Sequence, residues 1–333
     1  MADSGFREFH DELRSVAADL LAKDREVEWA SLVDAGWVGM EVPEDLGGAG
    51  ATFGETAVIL DQIGRAASTN SFLGSAVLPV GLLNTLQDSE IRDQLLTAVA
   101  DGRSRLAAVA GEFVIEGGRV TGGAEFVPDA VGADRLLLIT DSGVAVLAAA
   151  EMAVHPQPVV DETRRLATVA ADAAVIDEML AFAGEPVAAV QAFHDRAAVA
   201  IACDSLGVAE QMLSATVDYV KMRHQFGRPI GSFQAVKHAC ADMLVSIAVS
   251  RQLVAEAVAA VSDDADAGVA AAMAKSHACS AAVDVAGKAM QLHGGIGYTW
   301  ESGIHAYLKR AALNRSLFGP PAAQRKKLAR RYP

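Results

Sequence analysis

Two short loops hold the residue types best suited to gripping an anionic ligand. The first is Arg223-His224-Gln225-Phe226-Gly227-Arg228-Pro229-Ile230-Gly231-Ser232-Phe233-Gln234, and the second is Gln291-Leu292-His293-Gly294-Gly295-Ile296-Gly297-Tyr298-Thr299. A guanidinium at Arg223, just past a predicted helix end, suits a phosphate when glycines let backbone amides approach it. Gln225, Gln234 and Gln291 add neutral donors and acceptors. The same residues also read as a helix-end charge and two glycine caps, and spacing alone leaves both readings open.

Other chemistries are poorly supplied. Cys203, Cys240 and Cys279 are far apart, with no CxxC or Cys/His metal spacing, so no disulfide framework and no zinc site are expected. In their Ala-rich helices they read as buried small hydrophobes. With 28 basic against 42 acidic residues the net charge is −14, which argues against nucleic-acid or anionic-membrane binding. The charged N-terminus does not suit a signal peptide. No membrane span is expected, because no window of about 18 apolar residues is free of charges or turn signals. A cytoplasmic protein is the simplest reading.

The elements that must hold the loops are mostly helices. Hydrophobic residues make up 52% and aromatics only 5%, and about a fifth of the chain is Ala, the strongest helix former. Residues 1–104 read as an N-terminal helical domain, with Phe9, Leu13, Val16, Leu20 and Leu21 on one face. A Gly- and Pro-rich break spans Gly36 to Gly50, and helix resumes from Phe53 to Arg65. Residues 105–178 read as a small β domain. Gly117-Gly118 and Asp141-Ser142-Gly143 mark hairpins, and Pro156 and Pro158 confine Val154–Val160 to an edge strand or loop. Residues 179–333 read as a helical bundle, with helices ending near Met222, Val261, Leu292 and Leu317. Pro320-Pro321 then precede a basic, solvated tail, Arg325-Lys326-Lys327 and Arg330-Arg331.

Three motifs carry a resemblance. Arg223 to Phe233-Gln234, followed by Asp242-Met243, resembles the R-x-Q-F-G-x-P-I-x-x-F-Q signature of the acyl-CoA dehydrogenase family. Gln291-Leu292-His293-Gly294-Gly295-Ile296-Gly297-Tyr298 is similar to its Q-x-x-G-G-x-G-Y. Gly36-Trp37-Val38-Gly39, Pro43-Glu44 and Gly47-Gly48-Ala49-Gly50 resemble its G-W-x-G and P-E-x-x-G-G-x-G. The resemblance implies an N-terminal helical domain, a β-barrel-like middle domain and a C-terminal four-helix bundle. It also implies an FAD cofactor, an acyl-CoA substrate and electron-transferring flavoprotein as acceptor. Arg223, Gln225, Phe226, Phe233, Gln234, Gln291, Gly294 and Gly295 then hold the ADP end of an FAD whose flavin lies against a neighbouring subunit.

The chain departs from the family where the reaction happens. Family members remove the α-proton of the thioester with a Glu while the β-hydride goes to flavin N5. One base position is Phe318 here and the other is Ala197, ten residues before Gly207; neither side chain can accept a proton. Asp195 matches a family Asp, but a following CoA-contacting Arg is Ala198. Ala107–Glu112 lacks the T-E-P and G-S-D of the flavin wall, and Glu125-Phe126-Val127-Pro128 replaces a second wall motif, with Pro128 offering no N–H. Losses on one side only suggest a division of labour. The pattern resembles the short, base-lacking subunit of actinobacterial heterotetrameric acyl-CoA dehydrogenases acting on steroid side-chain thioesters. It implies a longer homologous partner in an α2β2 assembly. The alternatives are a self-sufficient enzyme with a relocated base, Asp204 being the candidate although it reads first as a surface or helix-packing carboxylate, and a non-catalytic scaffold. His224 reads as a solvent- or phosphate-side residue, and His293 as a packing residue.

Overall fold

The computed structural model describes residues 2–331, except that the side chains of residues 2–9, Trp300 and Arg331 are outside the description; Phe9 therefore falls outside it. The chain opens with α1 (Ala2–Lys23), α2 (Trp29–Asp34), α3 (Phe53–Ala66), α4 (Leu78–Leu83) and α5 (Glu90–Ala100). Thr52 and Glu55 close a reciprocal capping box at the start of α3. The Gly36–Gly50 break is structural. Trp37 is buried against the edge of Phe72, ring centroids 5.9 Å apart.

Two four-stranded sheets follow. One runs β1 (Leu106–Ala110), β4 (Arg135–Thr140), β5 (Gly143–Ala148), β8 (Glu178–Leu180); the other runs β2 (Glu112–Glu116), β3 (Arg119–Pro128), β7 (Leu166–Val175), β6 (Ala153–Pro156). Both glycine-marked hairpins form, pairing Glu116 with Arg119 and Thr140 with Gly143. The expected edge strand is β6. A parallel β1–β4 pair and the long strand β7 have no turn signature and were not foreseen. Strand structure also continues to Leu180, past residue 178.

The last part is a bundle of α6 (Pro186–Met222), α7 (Gln234–Ser262), α8 (Gly268–His293), α9 (Ile304–Ser316) and α10 (Pro321–Arg331), with the short pair β9 (His224–Gln225) and β10 (Arg228–Pro229) between α6 and α7. The expected solvated tail is instead a helix. Pro321 fits the first helical position, where no N–H is needed, and Gln324 is buried, donating to the Phe318 carbonyl at 3.0 Å. Asp242, Arg251 and Glu256 interrupt α7, in line with the expectation that no charge-free apolar window of about 18 residues exists. By length and composition α7 could cross a membrane, and only 22% of its most apolar window is buried.

At the centre, α6 meets α3 without room for side chains. A Cβ on Gly64 would lie 2.0 Å from the Asp204 carbonyl oxygen, and one on Gly207 2.0 Å from that of Asp61. Below this crossing lies a buried charge network. Asp204 accepts from Arg310 Nη2 at 2.6 Å and Nε at 3.0 Å, from Asn314 at 2.6 Å, and pairs with Arg164 at 3.1 Å. Arg310 also donates to the Ser68 carbonyl at 2.9 Å and Thr163 Oγ1 at 2.8 Å. One carboxylate thus ties α6 to α9, to the loop after α3 and to the loop before β7.

Beside the crossing, burial pushes Asp61 up to about 7, and the Glu210 carboxylate adds to the shift. Folding therefore favours the protonated form, so stability from this group is present below the ordinary carboxylate range and is lost as pH rises to about 7. Asp61→Asn is expected to raise the urea midpoint more at pH 8 than at pH 5; equal shifts at both pH values would refute this.

Candidate functional site

The two sequence-marked loops leave the same end of the bundle. One turn before Arg223, Tyr219 stacks on His293, ring centroids 4.3 Å apart, and donates to the His293 carbonyl at 3.3 Å. His293 is buried and packs, as expected. Arg223 caps α6 and is exposed. Its carbonyl accepts from Ile230 N–H at 2.8 Å, closing the loop. Within it β9 and β10 form a two-residue hairpin whose turn residues, Phe226 and Gly227, both have positive φ, 54° and 76°. Arg228 lies over the Phe233 ring at 4.1 Å, and Phe226 meets that ring edge-on at 6.1 Å.

Gln225, Gln234, Gln291, Gly294 and Gly295 are all exposed. No atom lies within 4 Å of a Cβ built on Gly294 or Gly295, and Gly294 has φ 61°. The loops offer a guanidinium, amide side chains and uncovered backbone, donor types that fit a pyrophosphate and an adenine. They do not enclose it. Phe226 is 90% exposed, and Met222, Tyr298 and Ile296 are exposed beside it. His224 is exposed too, its Nδ1 3.0 Å from the Met222 carbonyl. Cys240, expected to be buried, is only half-buried and lines a hollow of about 410 Å³ next to this loop.

The second feature is a cavity of about 460 Å³ between the β domain and the bundle. Phe318, with φ 52°, lines it along with Pro128, Phe126, Glu125, His194 and Lys327. The wall segment is bulged between Ala124 and Val127. Phe126 N–H is already donated to Gln157 Oε1 at 2.7 Å, and Pro128 has none. These two wall positions therefore have no free N–H for a flavin ring, whereas the loops at the far end suit its ADP half. Ala197 is fully buried in α6. Asp195 turns to a different cavity of about 370 Å³, where it accepts from Gln191 at 2.8 Å.

Asp204 is not a relocated base. Burial pushes its carboxyl up, but the Arg164 and Arg310 charges, with hydrogen bonds from Arg310 and Asn314, outweigh this and hold it at about 2. It is buried and is not among the residues lining the Phe318 cavity. Two titratable groups also line the cavity: Glu125, noted above only as part of the altered wall segment, and His194, which sequence reasoning did not single out. Burial lowers His194 below the usual imidazole value and Lys327 lowers it further, against a smaller opposing pull from Asp195, which favours the neutral ring. No motif marked His194. Alternation along β3 and the neighbourhood of Asp195 were the available signals.

The N-terminal domain model of the acyl-CoA dehydrogenases matches residues 2–103, and the C-terminal domain model matches residues 183–332. The chain belongs to the acyl-CoA dehydrogenase family. It is 34% identical over 301 residues to the acyl-CoA dehydrogenase IpdE2 of Mycolicibacterium smegmatis, covering 90% of this chain and 86% of that protein. A variant of the Tcur3481-Tcur3483 steroid ACAD is similar in structure, with a TM-score of 0.88 and 28% identity over 97% of both chains. The ChsE4-ChsE5 complex from Mycobacterium tuberculosis shares the fold, with a TM-score of 0.87 and 24% identity over 97% of this chain and 96% of that one. The chain is thus an oxidoreductase-family protein whose cofactor is FAD.

An added carboxylate is expected to be useless here. Ala197→Glu in the isolated chain should give no flavin bleaching by an acyl-CoA panel under anaerobic conditions. It should also lower stability, because a Glu at a fully buried site has no partner. Bleaching by this variant alone would show that the chain builds a complete site.

Proposed function

We propose that this chain is the FAD-sharing, base-lacking subunit of a heteromeric acyl-CoA dehydrogenase. The observation that carries this reading is the split between its two ends. Arg223, Gln225, Gln234, Gln291 and Gly294-Gly295 stand exposed together, while Phe318 and Ala197 occupy both base positions. A partner homologous to this chain and longer supplies the flavin wall and the Glu, and covers the apolar side chains around the clamp. The resemblance to heterotetrameric enzymes supports an α2β2 assembly. The α7 face with Leu244, Val245 and Val249 exposed suits further protein contact rather than lipid, given the net charge of −14. A cytoplasmic location fits this reading.

The reaction is α,β-dehydrogenation of an acyl-CoA thioester. The partner's carboxylate takes the α-proton, and FAD, when bound, accepts the β-hydrogen with its electron pair. Electron-transferring flavoprotein is the expected acceptor. In this chain Arg223 balances the pyrophosphate charge, and the open glycine backbone lets amides approach it. Similarity to a protein named as a steroid ACAD supports a steroid side-chain CoA ester as substrate. Co-expression with a candidate partner tests the reading: replacing the partner's Glu by Gln should abolish turnover while the complex stays yellow. Persistent turnover would refute it.

A second reading rests on Glu125 and His194, which place two proton acceptors in the chain's own cavity. It predicts that His194→Gln or Glu125→Gln lowers turnover in the complex; the first reading predicts no change from either.

A further inference from the structure

A cleft of about 570 Å³ runs between α1, α3, α6 and α7 and shares no lining residue with the Phe318 cavity or the flavin loops. Its apolar wall is Val58 from α3, Leu206 from α6, and Val254 and Val258 from α7, and the carboxyl groups of Glu55, Asp61 and Glu210 line it too. Along α7 it reaches from Arg251 to Ser262, about 16 Å of helix at 1.5 Å per residue. Pockets of this size and make-up, apolar with a few polar groups, are typical small-molecule sites.

The polar groups narrow the ligand. Both arginines lining the cleft are already engaged, Arg251 by Glu210 and Arg14 by Asp11. His10 pairs with Glu55 at 2.8 Å, and Glu55 also accepts from Thr52. No cation is left for a carboxylate or phosphate. At the α7 end the Ser262 hydroxyl oxygen is buried and has no hydrogen-bond partner among the described residues. A buried hydroxyl without a partner is unfavourable, and turning it onto a ligand oxygen relieves that. We propose that this cleft is a second small-molecule site, for an elongated, uncharged, apolar molecule whose hydroxyl or carbonyl oxygen meets Ser262.

Equilibrium dialysis of radiolabelled 1-dodecanol against the full chain tests this. Saturable binding of one molecule per chain is expected. Ala255→Phe, at an exposed position on the cleft wall, should weaken it at least tenfold by plugging the middle. Ser262→Ala should weaken it about fivefold through the lost hydrogen bond. Thermal unfolding checks that both variants fold; should Ala255→Phe fail to fold, Ser262→Ala decides alone. No saturable binding to the wild type, or affinities unchanged in the folded variants, would overturn the proposal. Binding that survives Ala255→Phe would mean the probe occupies another cavity, which overturns it equally.

Discussion

Asp204→Ala is expected to destabilise the chain by about 3–5 kcal/mol, a large part of the roughly 5–15 kcal/mol that holds a domain together. The loss comes less from the missing carboxylate than from what it leaves behind. Arg310 is buried and would keep only the Ser68 carbonyl and the Thr163 hydroxyl, and Arg164 would keep Asn314. Urea unfolding at pH 7 reads the effect, and a change under about 1 kcal/mol would show that the network contributes specificity rather than stability. The pH dependence has a definite sign. The folded-state pKa of about 2 lies below the ordinary 3.8, so the stabilisation is present above 3.8 and is lost as pH falls towards 2. A loss of this size would agree with the structural role that the network gives Asp204.

Arg223→Ala is expected to weaken FAD retention by the assembled enzyme about ten- to a hundredfold. A charge-assisted hydrogen bond to a partly desolvated phosphate contributes about 1.5–3 kcal/mol. Arg223 is exposed in the lone chain, so the effect should appear only where a partner covers the loops. Flavin absorbance after dialysis of the complex measures it. Retention equal to wild type would make Arg223 a helix-end charge and no more.

The legible parts of the molecule were those whose local chemistry is distinctive. Gly117-Gly118 and Asp141-Ser142 can turn a hairpin wherever they occur, so both hairpins were readable. Gly227 and Gly294 marked the loops of the clamp for the same reason, and the structure brings both loops to one end of the bundle. What was missed depends on distant partners. The parallel pairing of Leu106–Ala110 with Arg135–Thr140 leaves no turn between them to read. The basic stretch after Pro320 carries a strongly polar composition, and only burial of Gln324 against Phe318 reveals it as a packed helix. For Asp204 the helix-packing reading holds and the relocated base does not, and the sequence left both open because its counter-charges, Arg310 and Arg164, are far away in sequence. That Glu125 and His194 line one cavity was not readable, because a cavity between two domains has no local signature.

The central claim is that this chain contributes a clamp but no complete site. The direct measurement is the flavin spectrum and anaerobic bleaching of the purified chain, alone and co-purified with a longer homologous subunit. The chain alone should be colourless and inert towards acyl-CoA thioesters, and the pair should be yellow and bleach on substrate addition. A yellow homo-oligomer that bleaches without any partner would contradict the claim.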